Sequence, residues 1–285
     1  MSHREVTQLV PALEVTEGAG VTVHRTLGTP ARRHLDPFLM LDHISSDNPD
    51  DYLAGFPEHP HRGFNTFTYM LDGHMRHGDS MGNRGDLGPG GAQWMKAASG
   101  VIHSEMPMQV GGVMRGFQLW VNLPAQEKMS EPAYQEIRPE SVPEITDGDV
   151  RLRLLAGEYR GERGPVTDVH TQVQILDVTL APNGGFSRPV PTIHSAFVYV
   201  FEGSARVADT QVPLHHLAVL GPGESLTVEA GTDGARLLFV AGKPIGEPIV
   251  QQGPFVMNSR EEIEQAMLDF RSGRLVRSRA SMATR

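Results

Sequence analysis

The chain contains no cysteine among its 285 residues. It therefore cannot form a disulfide, an iron–sulfur cluster or a thiolate zinc site. A metal bound by this protein must use imidazole nitrogen and carboxylate oxygen. The sequence also lacks any apolar run that approaches the ~20 residues of a membrane-spanning helix. We therefore expect no membrane partner.

Positive charge is also scarce: 25 Lys and Arg against 34 Asp and Glu give a formal net charge of −9. A nucleic-acid-binding surface needs clustered Lys and Arg to displace counterions, so direct binding of nucleic acid is not expected. The N-terminal residues lack the basic segment and apolar run of a secretory signal. These features together predict a cytoplasmic protein.

What the chain does contain is a succession of short strand-like runs, most of them rich in β-branched or aromatic residues. Examples are 67–71, 114–123, 151–157, 173–181, 196–203, 216–221 and 235–242. A helix is predicted at 259–273, where Ser259 and Glu262 form a capping-box pattern. The sequence therefore predicts an all-β protein of two stacked antiparallel β-barrel domains with a C-terminal helix.

The two-domain prediction depends on an internal repeat. Residues 56–73 (FPEHPHRGFNTFTYMLDG) align without a gap with 186–203 (FSRPVPTIHSAFVYVFEG). Three of the four aromatic positions and the final glycine recur, but Pro189 and Pro191 align with two histidines of the first copy. Proline has no ring lone pair that could bind a metal. The repeat predicts a duplicated scaffold with one functional metal site.

The repeat continues beyond these segments, because the motif LGPG at 87–90 recurs at 220–223. A period of about 130 residues is too long for a solenoid and fits two copies of one small domain. The junction is expected in the polar, turn-rich region before residue 150. We therefore predict a metal-binding domain over 1–140 and a degenerate domain with the terminal helix over 141–285.

The candidate ligands are His59, His61, His103 and Glu105. Both the HPH and the HSE sequence place two ligand-type side chains at positions i and i+2. In an extended strand these positions project to the same face, so each pair can reach one ion. Two such strands side by side predict a site of three histidines and one carboxylate. The donor set suits Fe, Mn, Co, Ni, Cu or Zn.

The sequence resembles the cupin superfamily and, within it, the pirin family. Cupins carry an HxH motif that ends near a glycine, and a later motif in which a histidine follows a glycine by three residues. The pirin-like segments are LDPFL (35–39), HPHRGF (59–64), QWM (93–95), GVIHSE (100–105) and GPFVMN (253–258). The resemblance extends from about residue 20 to residue 273.

The resemblance implies two stacked β-barrel domains, a bicupin, with Fe(II) in the first domain only. It also implies that the four candidate ligands bind that iron. One departure is Asn65, which replaces the cupin glutamate four residues after His61 and is expected to alter hydrogen bonding around the site. In the second half, the alignment places Gly234 where the third histidine would fall.

The function implied by the resemblance is an iron-dependent dioxygenase of the flavonol (quercetin 2,3-dioxygenase) type, an oxidoreductase that opens the ring with O₂ and releases CO. Glu105 is the candidate catalytic base. The expected partners are a small flavonol-like aromatic substrate and O₂. The alternative is a redox-sensing pirin-type regulator that binds transcription-related proteins, with the iron state as its switch. His77, near the turn after Gly73, is expected to be a solvated turn residue.

Overall fold

The computed structural model describes residues 2–284. The first strands in chain order are β1 Val6–Pro11, β2 Leu13–Glu17, β3 Val21–Leu27, β4 Phe38–Ser46, β5 Phe56–His61, β6 Phe64–Asp72, β7 Met75–Asp79, β8 Arg84–Leu87, β9 Ala92–Lys96, β10 Val101–Pro107, β11 Met114–Asn122 and β12 Ala133–Ile137. Short 3₁₀ turns lie at Pro49–Asp51, Ala125–Glu127 and Pro139–Ser141.

The remaining elements are again mostly strands, followed by one helix near the end of the chain. They are β13 Glu144–Asp147, β14 Val150–Ala156, β15 Glu158–Tyr159, β16 Glu162–Arg163, β17 Gln174–Leu180, β18 Gly185–Pro189, β19 Ser195–Val207, β20 Thr210–Val212, β21 His216–Leu220, β22 Ser225–Gly242, β23 Val250–Gln252, β24 Phe255–Met257, α1 Arg260–Arg271 and β25 Ser281–Thr284. Over residues 2–284, no helix is long and apolar enough to cross a membrane.

The chain packs as two compact units. The N-half unit comprises residues 14–28, 38–141 and 245–285, and the C-half unit comprises residues 1–13, 29–37 and 142–244. Each unit therefore contains a terminal segment from the opposite end of the chain. The division into domains 1–140 and 141–285 stays a prediction about the two copies of the repeat.

The C-half unit is built on a nine-stranded sheet with the order β1-β21-β19-β22-β17-β14-β13, where β18 pairs with β22 and β20 pairs with β19. The strand β1 lies antiparallel to β21, at the edge of this sheet. Alternate apolar residues of β17, β19 and β22 form one buried core cluster, which includes Val178, Val198 and Phe239. Alternate residues of a strand project to one face, so this cluster packs against one face of the sheet.

The N-half unit contains an eight-stranded sheet, β2-β3-β4-β11-β6-β9-β12-β25, and a four-stranded sheet, β5-β10-β7-β8. Neither closes into a ring over the described residues. The prediction of an all-β fold with cupin-type jelly-roll domains is confirmed, with open sheets where closed barrels were expected. The candidate site lies on the four-stranded sheet, where β5 and β10 are adjacent.

The predicted C-terminal helix is confirmed as α1. The Ser259 hydroxyl accepts from the backbone N–H of Glu262, and the Glu262 carboxylate accepts from the backbone N–H of Ser259, which completes the capping box. Ile263 and Ala266 are buried in a cluster with Leu275 and the strand β24. Burial of this face holds the helix in the N-half unit.

The repeat is visible in equivalent elements of the two units. Phe67 and Tyr69 on β6 are buried, as are the matching Phe197 and Tyr199 on β19. The glycines that close the two segments both adopt a left-handed backbone, with φ of 80° at Gly73 and 65° at Gly203. Glycine is favoured there because it carries no Cβ. The two copies thus share both their core positions and their turn.

Candidate metal centre

Two antiparallel strands bring the three candidate histidines together. In the pairing of β5 with β10, His103 lies opposite His59, and Val101 lies opposite His61. Opposed residues project to the same face, as do residues two apart on one strand. As a result, one nitrogen from each of His59, His61 and His103 lies within 4.8 Å of the others.

The buried histidines of this cluster are held in their neutral form. His61 is 3% exposed and His103 is 1% exposed. Burial lowers the pKa of both rings well below the ordinary value, and neighbouring histidines lower it further. His103 Nε2 and His61 Nδ1 are buried without a hydrogen-bond partner. A neutral imidazole with an unused nitrogen is the form that binds a metal.

The ring of His59 is fixed by its own strand. Its Nδ1 lies 2.8 Å from the carbonyl oxygen of Pro57. A carbonyl only accepts, so Nδ1 carries the proton and donates it, which leaves Nε2 with a free lone pair. Such a backbone contact selects the tautomer that can serve as a metal ligand. His59 is also the half-buried member of the cluster, whereas the other two are buried.

Glu105 lies two residues beyond His103 on β10, and its carboxylate is 4% exposed. Thr68 Oγ1 donates to Glu105 Oε1 at 2.9 Å, and Gln118 Nε2 donates to Oε2 at 2.9 Å. Both donors belong to the eight-stranded sheet of the same unit. Burial raises the pKa of Glu105, while His59 and the two hydrogen bonds oppose that shift.

The donors present fit a transition metal. Imidazole nitrogens suit the ions from Fe to Zn, and the unpartnered buried nitrogens of His61 and His103 are atoms that a metal would satisfy. The cluster therefore indicates a metal cofactor. Among the described residues, the group within 4.8 Å holds the three histidines and does not include Glu105.

His77 was predicted from the sequence to be a solvated turn residue, and this prediction is wrong. The residue instead lies on β7 and is 0% exposed. Its Nδ1 is 3.2 Å from His103 Nδ1. If His103 binds through its unpartnered Nε2, then its Nδ1–H donates to His77. A strand as short as β7 cannot be distinguished from a turn by sequence periodicity.

Asn65 lies on the opposite side of β6 from the site. Thr68 of the same strand bonds to Glu105, and strand residues at odd separation project to opposite faces. Asn65 is buried, and its Oδ1 has no hydrogen-bond partner. The expectation that this residue alters hydrogen bonding around the site is therefore wrong, because the strand turns its side chain away.

The strand β5 carries a bulge beside the site. Glu105 pairs with Phe56 and His103 pairs with His59, so three residue steps on β5 match two steps on β10. The extra residue keeps Phe56 and His59 on one face although their separation is odd. This bulge is what directs the HPH sequence toward the site.

The equivalent strand of the C-half unit has no bulge. On β18 and β22, Phe186 pairs with Val228, and Arg188 pairs with Leu226, with regular register. Arg188 and Leu226 are buried, as is Val190, which follows β18. By register, therefore, Arg188 takes the place of His59, and Leu226 takes the place of His103.

The structure thus shifts the alignment of 56–73 with 186–203 by one residue at the ligand positions, so that His59 corresponds to Arg188 and not to Pro189. Pro189 is exposed and belongs to the outer face of β18, so it does not replace a ligand. Gly234 lies further along β22, where it has a left-handed backbone, and does not correspond to the third histidine. A comparison of sequences cannot detect a bulge that changes which residues face inward.

Comparison with known proteins agrees with this geometry. Residues 20–121 match the family described as Pirin, and residues 175–276 match the Pirin C-terminal cupin domain. The chain belongs to the pirin family. The prediction from the sequence motifs is confirmed.

Relatives of this pirin span nearly its whole length. A pirin-like protein of Caulobacter vibrioides is 49% identical over 276 residues, which cover 96% of this chain and 100% of the relative. Pirin of Homo sapiens is 42% identical over 280 residues, 96% of this chain and 94% of the relative. The crystal structure of quercetin 2,3-dioxygenase from Acinetobacter baumannii superposes with a TM-score of 0.90 at 32% identity, covering 96% of this chain and 99% of that one.

Proposed function

We propose that this pirin is an iron-dependent dioxygenase that cleaves flavonols of the quercetin type. In this reaction two C–C bonds of the heterocycle break, and the carbon between them leaves as carbon monoxide. The two atoms of O₂ end on the carbons that flanked it, so no external reductant is needed. The observation that carries the proposal is the cluster of three histidines beside a buried carboxylate.

The proposed ligands are His59, His61 and His103, with Glu105 as a fourth, oxygen donor. A bound metal would supply a Lewis acid and a path for electrons between substrate and O₂. Fe(II) is the proposed ion, and Mn, Co, Ni, Cu and Zn share the same ligand preferences. The similarity to a quercetin 2,3-dioxygenase of known structure supports this class of chemistry.

Glu105 is proposed to take the proton of the flavonol 3-hydroxyl. Burial raises its pKa, which makes the carboxylate a stronger base than one in water. The hydrogen bonds from Thr68 and Gln118 hold both oxygens in place. Removal of the proton makes the ring electron-rich, which is the state that reacts with O₂.

The test is turnover by protein loaded with metal under anaerobic conditions. After air is admitted, we expect quercetin absorbance to fall and CO to appear in equal amount. The Glu105→Gln variant should lower the rate by about a hundredfold or more, because an amide cannot act as a base. Absence of turnover with any of Fe, Mn, Co, Ni or Cu would overturn the dioxygenase proposal.

The matched control is the His59→Ala/His61→Ala double variant, analysed for metal content. Loss of both metal and turnover would assign the chemistry to this cluster. Full metal content in the double variant would refute the ligand assignment. If the wild-type protein binds metal without turnover, the regulatory alternative gains support and is tested by partner pull-downs with the iron reduced and oxidised.

A further inference from the structure

The C-half unit buries a cation at the position that corresponds to His59. Arg188 is 6% exposed and faces inward from β18. Its Nε donates to the carbonyl of Pro189 at 3.3 Å, and its Nη2 donates to Gln174 Oε1 at 2.7 Å and to the carbonyl of Glu158 at 3.4 Å. The remaining nitrogen, Nη1, is buried without a hydrogen-bond partner.

No carboxylate accepts a hydrogen bond from this guanidinium within residues 2–284. Its other neighbours are aromatic: its Cζ lies 5.8 Å from the ring centre of Tyr159 and 4.9 Å from that of Phe239. Ring faces attract a cation only weakly compared with a carboxylate. Burial accordingly lowers the pKa of Arg188 to about 10. A buried donor without a partner is a group that a bound anion would satisfy.

Arg188 also lines an open cavity of about 410 Å³. Its walls are formed by residues from β18 and from the β15–β16 hairpin, namely Glu158, Tyr159, Arg160, Ser187, Arg188 and Pro189. The volume lies in the range of small-molecule sites. Arg160 is already paired with Asp147, so Arg188 is the lining cation that lacks a carboxylate.

We propose that the C-half unit binds a small organic monocarboxylate in this cavity, with Arg188 as the anchoring cation where the other unit has its metal ligands. The planar guanidinium matches the geometry of a carboxylate. The rings of Tyr159 and Pro189 offer apolar surface to the body of the ligand. The exposed carboxylate of Glu158 disfavours a doubly charged anion such as phosphate.

Access to Nη1 requires a local movement, because that atom is buried by its neighbours. The hairpin β15–β16 contacts the same guanidinium through the carbonyl of Glu158, has two residues in each strand and forms a separate two-stranded sheet. Tyr159 of this hairpin is half-buried against the core cluster. We expect the movement to be a small shift of this hairpin, because the nine-stranded sheet does not include it.

The experiment is calorimetric titration of the full chain with benzoate and, as the neutral isostere, benzyl alcohol. We expect benzoate to bind, benzyl alcohol to bind at least about tenfold more weakly, and Arg188→Met to weaken benzoate binding by about tenfold or more. The Arg151→Gln variant is the matched control, since this arginine is an exposed residue of β14 in the same unit and does not line the cavity. It should bind benzoate like the wild type.

The site is independent of the metal centre, so His59→Ala/His61→Ala should retain benzoate binding, and Arg188→Met should retain quercetin turnover. Equal binding of benzoate by wild type and Arg188→Met would overturn the proposal, as would equal binding of the alcohol. If Arg188→Met fails to fold, NMR of the wild type labelled with ¹⁵N-arginine decides. Benzoate must then shift the Arg188 side-chain signal, and an unmoved signal refutes the site.

Discussion

At the scale of single residues, the buried histidines of the site have lost contact with water, which disfavours their charged form. Burial lowers the pKa of His61 and His103 far enough that both stay neutral under ordinary conditions. His77 belongs to the same group, since burial lowers its pKa to about 4. Neutrality keeps the nitrogen lone pairs available to a metal.

His77 is expected to position the ring of His103. If His103 binds the metal through Nε2, its Nδ1 carries a proton and donates a hydrogen bond to His77 Nδ1. We predict that His77→Leu lowers metal affinity by about tenfold to a hundredfold. The measurement is competition with a chelator of known affinity. The exposed His74→Leu variant is the control, and equal affinity in both variants would refute the role of His77.

At the scale of elements, a one-residue difference between equivalent strands decides which unit can bind a metal. The bulge in β5 turns His59 toward the site, whereas the regular β18 turns Arg188 inward and Pro189 outward. Side chains alternate along a strand, so a shift of one residue exchanges the faces. The chemistry of each unit follows from this local geometry together with the residue types.

The helix α1 is tied to the residue after His61 by a buried ion pair. Arg62 Nη1 donates to Asp269 Oδ2 at 2.8 Å, and Gln265 and Arg277 donate to the same carboxylate. Burial acts to raise the pKa of Asp269, but these donors and the charge of Arg62 outweigh it and lower the value to about 2.

We predict that Asp269→Asn destabilises the protein at pH 7 by roughly 3 kcal/mol, because Arg62 is left buried without a counter-charge. The folded pKa lies below the unfolded value of 3.8, so the ionised carboxylate stabilises the fold above that value. This contribution is lost as the pH falls toward 2. Denaturant unfolding should show a wide gap between variant and wild type at pH 7 that narrows below pH 3.8. A gap independent of pH would contradict the assignment.

At the scale of the whole molecule, two copies of one scaffold have kept their cores and turns but differ at the ligand positions. The N-half unit presents imidazoles and a carboxylate, while the equivalent inward positions of the C-half unit are Arg188 and apolar residues. Core positions tolerate little change because packing is dense. Ligand positions are free to diverge once one copy supplies the metal site.

Metal binding should therefore stabilise the N-half unit alone. A ligand that binds only the folded state adds about 2.7 kcal/mol at a hundredfold excess over Kd. We predict that a chelator lowers the midpoint of thermal unfolding and that added Fe(II), under anaerobic conditions, restores it. The His59→Ala/His61→Ala variant should respond to neither, and a response equal to that of the wild type would place the stabilising metal elsewhere.

The sequence by itself determined the strand-rich fold, the capped helix and the HPH and HSE pairs, because all three are encoded in local periodicity and in residues close in the chain. The motifs also identified the family. The convergence of His59, His61 and His103 was predicted from strand geometry and then found in the structure.

Only the tertiary structure decided three features: the burial of His77 beside His103, the face of β6 to which Asn65 projects, and the inward position of Arg188. Each depends on which strand lies beside which, or on a single bulge, and neither is written in the local sequence. The exchange of terminal segments between the two units likewise depends on long-range pairing. The pKa and the hydrogen bonds of a side chain depend on neighbours that are distant in the chain, and only folding brings these neighbours together.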